Sequence, residues 1–428
     1  MTRKYLPTRR DALRVGTLGA LGLSLADYLR LAEGSELQPK ADACIFLHLA
    51  GGPSHLDTFD MKPKAPAEEQ GEFKSIQSSM PELRVCEHLP KMAKVIDRFA
   101  LLRGVSHSAG AHPQANQYLY SGNRPSPAII YPAHGSVLTK ERPSDADLPS
   151  YVAVPGGDMT PGFLGIAYAP LNTTAIPKKG QPFEMRGLAL EEGTSLAKVR
   201  SRDKLLADLD TTFRETDSGS ELLTAMDRFG RKAQEMILSP RAREAFDVGR
   251  ESQAMIDLFE ADDLSQSMLL ALRLVEHGVR FVTITHAGWD THLDNFTNLK
   301  GKLLPAFDAA MSSLVEAMQQ KGLSDRVLVV ASGEMGRTPT INKNAGRDHW
   351  PRAMWTLMTG GGVKTGQLIG GTDEKGHGPD DATDMTPDDL AASLYHALGV
   401  DHRHEYYTAT GRPVILVPEG RVIEGLFA

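Results

Sequence analysis

Two cysteines in 428 residues are too few for a disulfide framework. Cys44 falls in an apolar, strand-like run, where a buried thiol is expected; pairing with Cys86, in a loop, is the less favoured alternative. A basic surplus is also missing. Lys and Arg total 47 against 54 Asp and Glu, a net charge of −7, which leaves no electrostatic footprint for nucleic acid. Beyond the first 26 residues no apolar run is long enough to cross a bilayer. What remains is a chain longer than a typical single-core domain, so one large α/β domain with insertions, or two lobes, is expected.

The N-terminus reads as an address. Thr8-Arg9-Arg10-Asp11-Ala12-Leu13-Arg14 resembles the twin-arginine export motif, with Ala12 where Phe is favoured. Val15 to Ala26 is apolar but too short to span a membrane, and Gly16, Gly19 and Gly22 disfavour a stable soluble helix. Residues 1–42 are therefore read as signal and linker and 43–428 as the folded part, with Ala41-Asp42-Ala43 fitting a small-x-small cleavage pattern. The resemblance implies the twin-arginine export machinery as a partner and a periplasmic or extracellular destination, with no membrane span beyond the signal.

After the signal, strands and helices alternate. Ala43 to Leu49 is a continuous apolar run suited to a buried parallel strand. Leu89–Ile96 reads as a helix, Phe99–Leu102 as a strand, and Pro113–Ser121 as a helix with Pro in its first turn and Gly122 at its end. A charged helical insertion is expected at about 196–264, broken at Ser239-Pro240. Leu264–His277 leads into an Arg280–Thr285 strand. Leu303, Leu304, Phe307, Met311, Leu314, Val315 and Met318 form one apolar helical face before the Val327–Ala331 strand. Thr386-Pro387-Asp388-Asp389 opens a last helix with a cap and acidic charge against its dipole. Such alternation argues for a mostly parallel sheet with helices on both faces.

Polar clusters stand where these strands end, which is where open α/β sheets bind ligands. They are His286-Ala-Gly-Trp-Asp290-Thr-His292, Ser332-Gly-Glu334-Met-Gly-Arg337, and Gly346-Arg-Asp348-His349. Imidazole and carboxylate are the usual side chains for divalent ions. Asp290, His292, Glu334, Asp348 and His349 are candidate metal ligands; Asp57 is a weaker one, and His286 is a direct ligand or a support for one. Arg337 is a candidate oxyanion partner, because guanidinium pairs bidentately with phosphate or sulfate, or else a structural salt bridge. His48, inside a strand, is expected to be a satisfied core histidine, and His377 a polar surface residue.

Gly51-Gly-Pro-Ser-His-Leu-Asp57-Thr-Phe-Asp60-x-Lys62-Pro63, together with the clusters above, resembles the exported family termed domain of unknown function 1501. That family is grouped with the alkaline phosphatase, sulfatase and phosphoglycerate mutase superfamily. The resemblance implies an alkaline phosphatase/sulfatase-like α/β fold, with a divalent metal ion (zinc, calcium or manganese) at the strand ends. It also implies hydrolysis of a phosphate or sulfate ester on an anionic small molecule or polysaccharide. Two departures stand out. In the register where sulfatases carry a catalytic residue, counted back from Ser121-Gly122, the chain has His112, with Ser108 the nearest hydroxyl. Gly51 and Gly52 stand where metal-binding aspartate is usual. His112 is thus a candidate nucleophile or ligand, and a non-catalytic metal- or ligand-binding protein is the alternative to a hydrolase.

Overall fold

A computed structural model describes residues 37–145, 147–181, 183, 185 and 239–427. The export motif and the part of the expected insertion before 239 lie outside the described residues. The chain divides into Met1–Pro39 and Lys40–Ala428, and all that follows concerns the second unit. Its first residues are tied into the domain. Lys40 and Ala41 donate backbone hydrogens to Ala397, and Asp42 donates to Arg326, so the fold begins slightly before the expected boundary.

The centre is an eight-stranded sheet. In chain order its strands are β1 (Ala43–Ala50), β2 (Ala100–Val105), β3 (Tyr151–Val154), β4 (Leu171–Asn172), β5 (Phe281–Ala287), β6 (Val327–Ser332), β7 (Met354–Thr359) and β8 (Gln367–Ile369). Across the sheet they lie β8-β2-β7-β6-β1-β5-β3-β4. β1 is central, hydrogen-bonded in parallel to β5 and β6. A strand covered on both faces is apolar on both, which is why its sequence, His48 apart, shows no alternation. Only β7 runs antiparallel to its neighbours β2 and β6. It is reached from β6 through a connection that contains no α-helix.

Helices cover both faces. Ile45, Leu47 and Leu49 of β1 join a core with α3 (Asp263–Glu276) and α4 (Leu304–Gln320). Cys44 and Phe46 face the other way, into a core shared with α1 (His112–Ser121), α2 (His134–Glu141) and α5 (Pro387–Ala397). Each large aliphatic side chain buried in this way stabilises the fold by about 1.5–3 kcal/mol. Local signals set the helix ends: Asp262 accepts from the amides of Leu264 and Ser265, and Thr386 and Asp389 form a capping box. Both cysteines are buried and free. From residue 239 the expected insertion is helical, with Ser239 capping Pro240–Phe246 rather than merely breaking the chain. No helix of the described residues is long and apolar enough to cross a membrane.

Candidate functional site

The carboxyl ends of β1, β5 and β6 lie side by side, so the loops that follow them share one edge of the sheet. The loop after β1 is Gly51-Gly52 because nothing larger fits. Their φ angles are +112° and +85°. A Cβ on Gly51 would stand 2.2 Å from the Asp290 amide nitrogen, and one on Gly52 2.3 Å from the Met335 carbonyl oxygen. The three loops are therefore in backbone contact, which leaves no room for aspartate at those positions.

Glu334 sits beneath this contact, with 1% of its side chain exposed. Its oxygens accept from the Gly51 amide at 2.9 and 3.1 Å and lie 2.9 Å from His48 Nε2 and 2.6 Å from His112 Nδ1. His107 Nε2 lies 2.8 Å from the Glu334 carbonyl oxygen. Above it, His112 opens α1, held there by the extended Ala111 and by Pro113 in the first turn. His112 Nε2 is buried and has no hydrogen-bond partner, although Asp290 Oδ2 lies 3.3 Å away. His349 stacks edge-on against His112, with ring centroids 4.3 Å apart. One donor atom from each of His112, Asp290 and His349 lies within 4.8 Å of the others.

Further groups flank this triad. His292 bridges Asp290 and Asp348, at 3.0 Å through Nε2 and 2.6 Å through Nδ1. His349 Nδ1 is held 2.8 Å from the Gly110 carbonyl oxygen, which turns its Nε2 toward Asp290. Asn342 donates to Asp348 and to the His292 carbonyl. Burial alone would raise the Asp290 carboxyl, but the Arg337 guanidinium, with His112 and His292, holds it below the usual carboxylate range. Burial would likewise raise Glu334, and its hydrogen bonds to His112 and His48 outweigh this and hold it well below that range. The Glu334 hydrogen bond raises His112 above the ordinary imidazole value, against the effect of its burial.

Residues 41–427 match the family described as "Protein of unknown function (DUF1501)". The chain belongs to that family. No curated protein matches it. Among solved structures, this DUF1501 chain is similar to the PsFucS1 sulfatase from Pseudoalteromonas sp., at 12% identity over 92% of this chain and 72% of that one, with a TM-score of 0.37. It is similar to the lipoteichoic acid synthase LtaP from Listeria monocytogenes, at 10% identity over 88% and 74%, with a TM-score of 0.33. It is also similar to an alkaline phosphatase from the Antarctic bacterium TAB5, at 13% identity over 79% and 96%, with a TM-score of 0.31.

Three expectations for this family member change in the structure, and for Arg337 the structure shows the second of its two alternatives, a structural salt bridge. Asp57 does not reach the cluster: it is 1% exposed and bound bidentately by Arg347 at 2.7 and 3.0 Å, with Asn295 donating at 2.9 Å. Sequence placed it in a ligand-rich loop but could not show that Arg347 neutralises it. His286 turns to the opposite face of β5, where its Nδ1 accepts from the Trp289 indole at 3.1 Å and burial lowers its pKa to about 4. It lines a cavity of about 900 Å³, which holds none of the clustered groups and so lacks their chemistry. Arg337 is fully buried and donates to the carbonyls of Gly51, Gly52 and Arg347 as well as to Asp290, so it braces the loops rather than facing an oxyanion. Glu334 is filled by its three partners and supports His112 instead of standing open to an ion. Asp290, His292, Asp348 and His349 do come together with His112.

Two contributors were not anticipated. His48 is satisfied, as expected of a core histidine, but by Glu334 and Tyr120, which makes it part of the site's foundation. A lone imidazole inside an apolar strand, just before Gly51-Gly52, was the available signal. His107 sits in a loop already rich in His and Ser and carried no distinguishing mark. His377 is a loop residue paired with Glu69 at 2.9 Å.

Proposed function

We propose that this protein is an exported, metal-dependent hydrolase of phosphate or sulfate esters, with His112, Asp290 and His349 holding the ion. The observation that carries this reading is the unpartnered Nε2 of His112. A buried imidazole nitrogen without a partner is costly unless something fills the gap. The spacing suits an ion. Donors about 2.0–2.1 Å from a tetrahedral metal are separated by roughly 3.3 Å, and His112 Nε2 lies 3.3 Å from Asp290 Oδ2. Two imidazoles and one carboxylate match a zinc-like ion; manganese fits less well, and calcium, which prefers oxygen ligands throughout, does not.

A divalent ion held there would polarise an ester oxygen and supply hydroxide near neutral pH. The chain's own groups do the rest. Arg337 fixes Asp290 and balances its charge, and His292, anchored by Asp348, aligns the same carboxylate from the solvent side. The start of α1 adds the positive end of a helix dipole beside the anionic group of a substrate, whether a small molecule or a polysaccharide ester.

One observation favours the alternative, a metal-binding protein without turnover: position 112 carries imidazole, not a hydroxyl or thiol nucleophile. Metal analysis of the purified protein, followed by a panel of phosphate and sulfate esters, separates the two. Wild type should contain one zinc-like ion and cleave at least one ester, and His112→Ala should lose both. Metal uptake with no turnover on the whole panel would favour the binding protein. Export rests on Arg9-Arg10; replacing both by Lys should retain the protein in the cytoplasm, and unchanged export would refute that route.

A further inference from the structure

His48 is a buried polar residue in the central strand β1, and both of its nitrogens are answered. The Tyr120 hydroxyl lies 2.5 Å from Nδ1, and Glu334 Oε2 lies 2.9 Å from Nε2. The positions of the hydrogens follow from valence. An ionised carboxylate only accepts, so His48 Nε2 carries the hydrogen that faces Glu334. With a neutral ring, Nδ1 is then the acceptor and takes the single hydrogen of Tyr120. Glu334 also accepts from the Gly51 amide and, through Oε1, from His112 Nδ1 at 2.6 Å. The hydrogen of a neutral His112 therefore sits on Nδ1, which leaves the lone pair of Nε2 in the gap shared with Asp290 and His349. A doubly protonated His48 gives the same result at His112.

We infer that Tyr120, His48 and Glu334 form a positioning chain that fixes the tautomer and ring angle of His112 and so presents its Nε2 lone pair to a divalent cation. None of the three touches the ion. The chain joins α1 to β1 and to the loop after β6, so each element that carries it is held by core packing on the other side. Carboxylates behind ligating histidines act in this way, and losing one costs about 10–100-fold in metal affinity. The role for the cation rests on the metal-site reading above; the tautomer does not.

The test uses full-length protein carrying ¹⁵N-labelled histidine, free of metal, at alkaline pH. Two-bond proton–nitrogen correlations report which nitrogen of each ring is protonated, and the His112→Gln variant assigns the His112 signals. The inference expects Nδ1 protonated and Nε2 bare. A hydrogen on Nε2, or rapid averaging between tautomers, in the wild-type spectrum overturns it. Zinc affinity, measured by competition with a chelator, provides the second arm. Glu334→Gln should lose tenfold or more, His48→Gln less, and Tyr120→Phe least. Glu334→Gln with affinity within twofold of wild type overturns the proposal. Wild type that shows the expected tautomer but takes up no zinc supports the positioning chain and overturns the metal-site reading.

Discussion

Asp57 and Asp290 are each held by a buried arginine in a loop at a strand end, yet their surroundings differ. Asp57 and Arg347 form a closed set. Both carboxylate oxygens receive donors, and the remaining guanidinium hydrogens go to the carbonyls of Glu69, Thr338 and Pro339. Around Asp290 the balance is uneven. One oxygen is crowded by Arg337, His292 and His349, while the other faces a His112 nitrogen that has no partner, and the side chain is 45% exposed. Both loops offer ligand-type residues in the sequence. Only the second leaves coordination unfilled, and an unfilled donor set distinguishes a binding site from an internal brace.

Replacing one residue of each pair gives the largest contrast. Asp290→Asn keeps an oxygen for Arg337 but removes the charge, and should lower zinc affinity by more than about 100-fold, beyond the loss of an orienting partner. Its unfolding curve should also shift, because Arg337 is buried, but by less than that of Asp57→Asn, since Asp290 is 45% exposed. Asp57→Asn should do the reverse: zinc affinity is retained, and denaturant unfolding shows a loss of about 3–5 kcal/mol because Arg347 is left buried without its counter-charge. The same behaviour from both variants would erase the distinction.

The two histidines of the site motifs sharpen the comparison through pH. In metal-free protein His286, lowered by burial to about 4 from an ordinary 6.5, binds protons less readily when folded. It contributes stability that is lost as pH falls from 6.5 toward 4. His112 is raised above 6.5 by the Glu334 hydrogen bond, so its contribution is complete below 6.5 and is lost as pH rises through the raised value. Urea midpoints measured against pH should fall less steeply between 6.5 and 4 in His286→Gln, with buried His134 still contributing there, and should lose slope just above 6.5 in His112→Gln. The smallest effect is expected at His292, which aligns Asp290 from the rim: His292→Ala should weaken zinc binding by about tenfold, near 1.4 kcal/mol.

Local and periodic features carried most of the fold into the sequence. The unbroken apolar run of β1 showed a strand covered on both faces, Pro113 and Gly122 bounded α1, and Thr386 with Asp389 marked the start of α5. Asp290 and His292 were legible because they follow β5 closely, and Asp348 and His349, just ahead of β7, because they are adjacent ligand-type side chains. Pairings between distant segments were not legible. Nothing in the order of residues joins Asp57 to Arg347, or His48 to Glu334, across more than 280 positions. The direction of β7 was hidden too, because an apolar strand reads the same in either orientation. Gly51-Gly52 looked like a missing metal site; the close approach of Asp290 and Met335 shows a steric requirement instead.

An anomalous-difference map from crystals grown with zinc, collected at the zinc edge, tests the central claim most directly. The account predicts one strong peak bounded by His112 Nε2, Asp290 and His349, with Glu334 and Arg337 outside its coordination sphere. A map with no peak there, or with its only peak in the cavity beside His286, would contradict it.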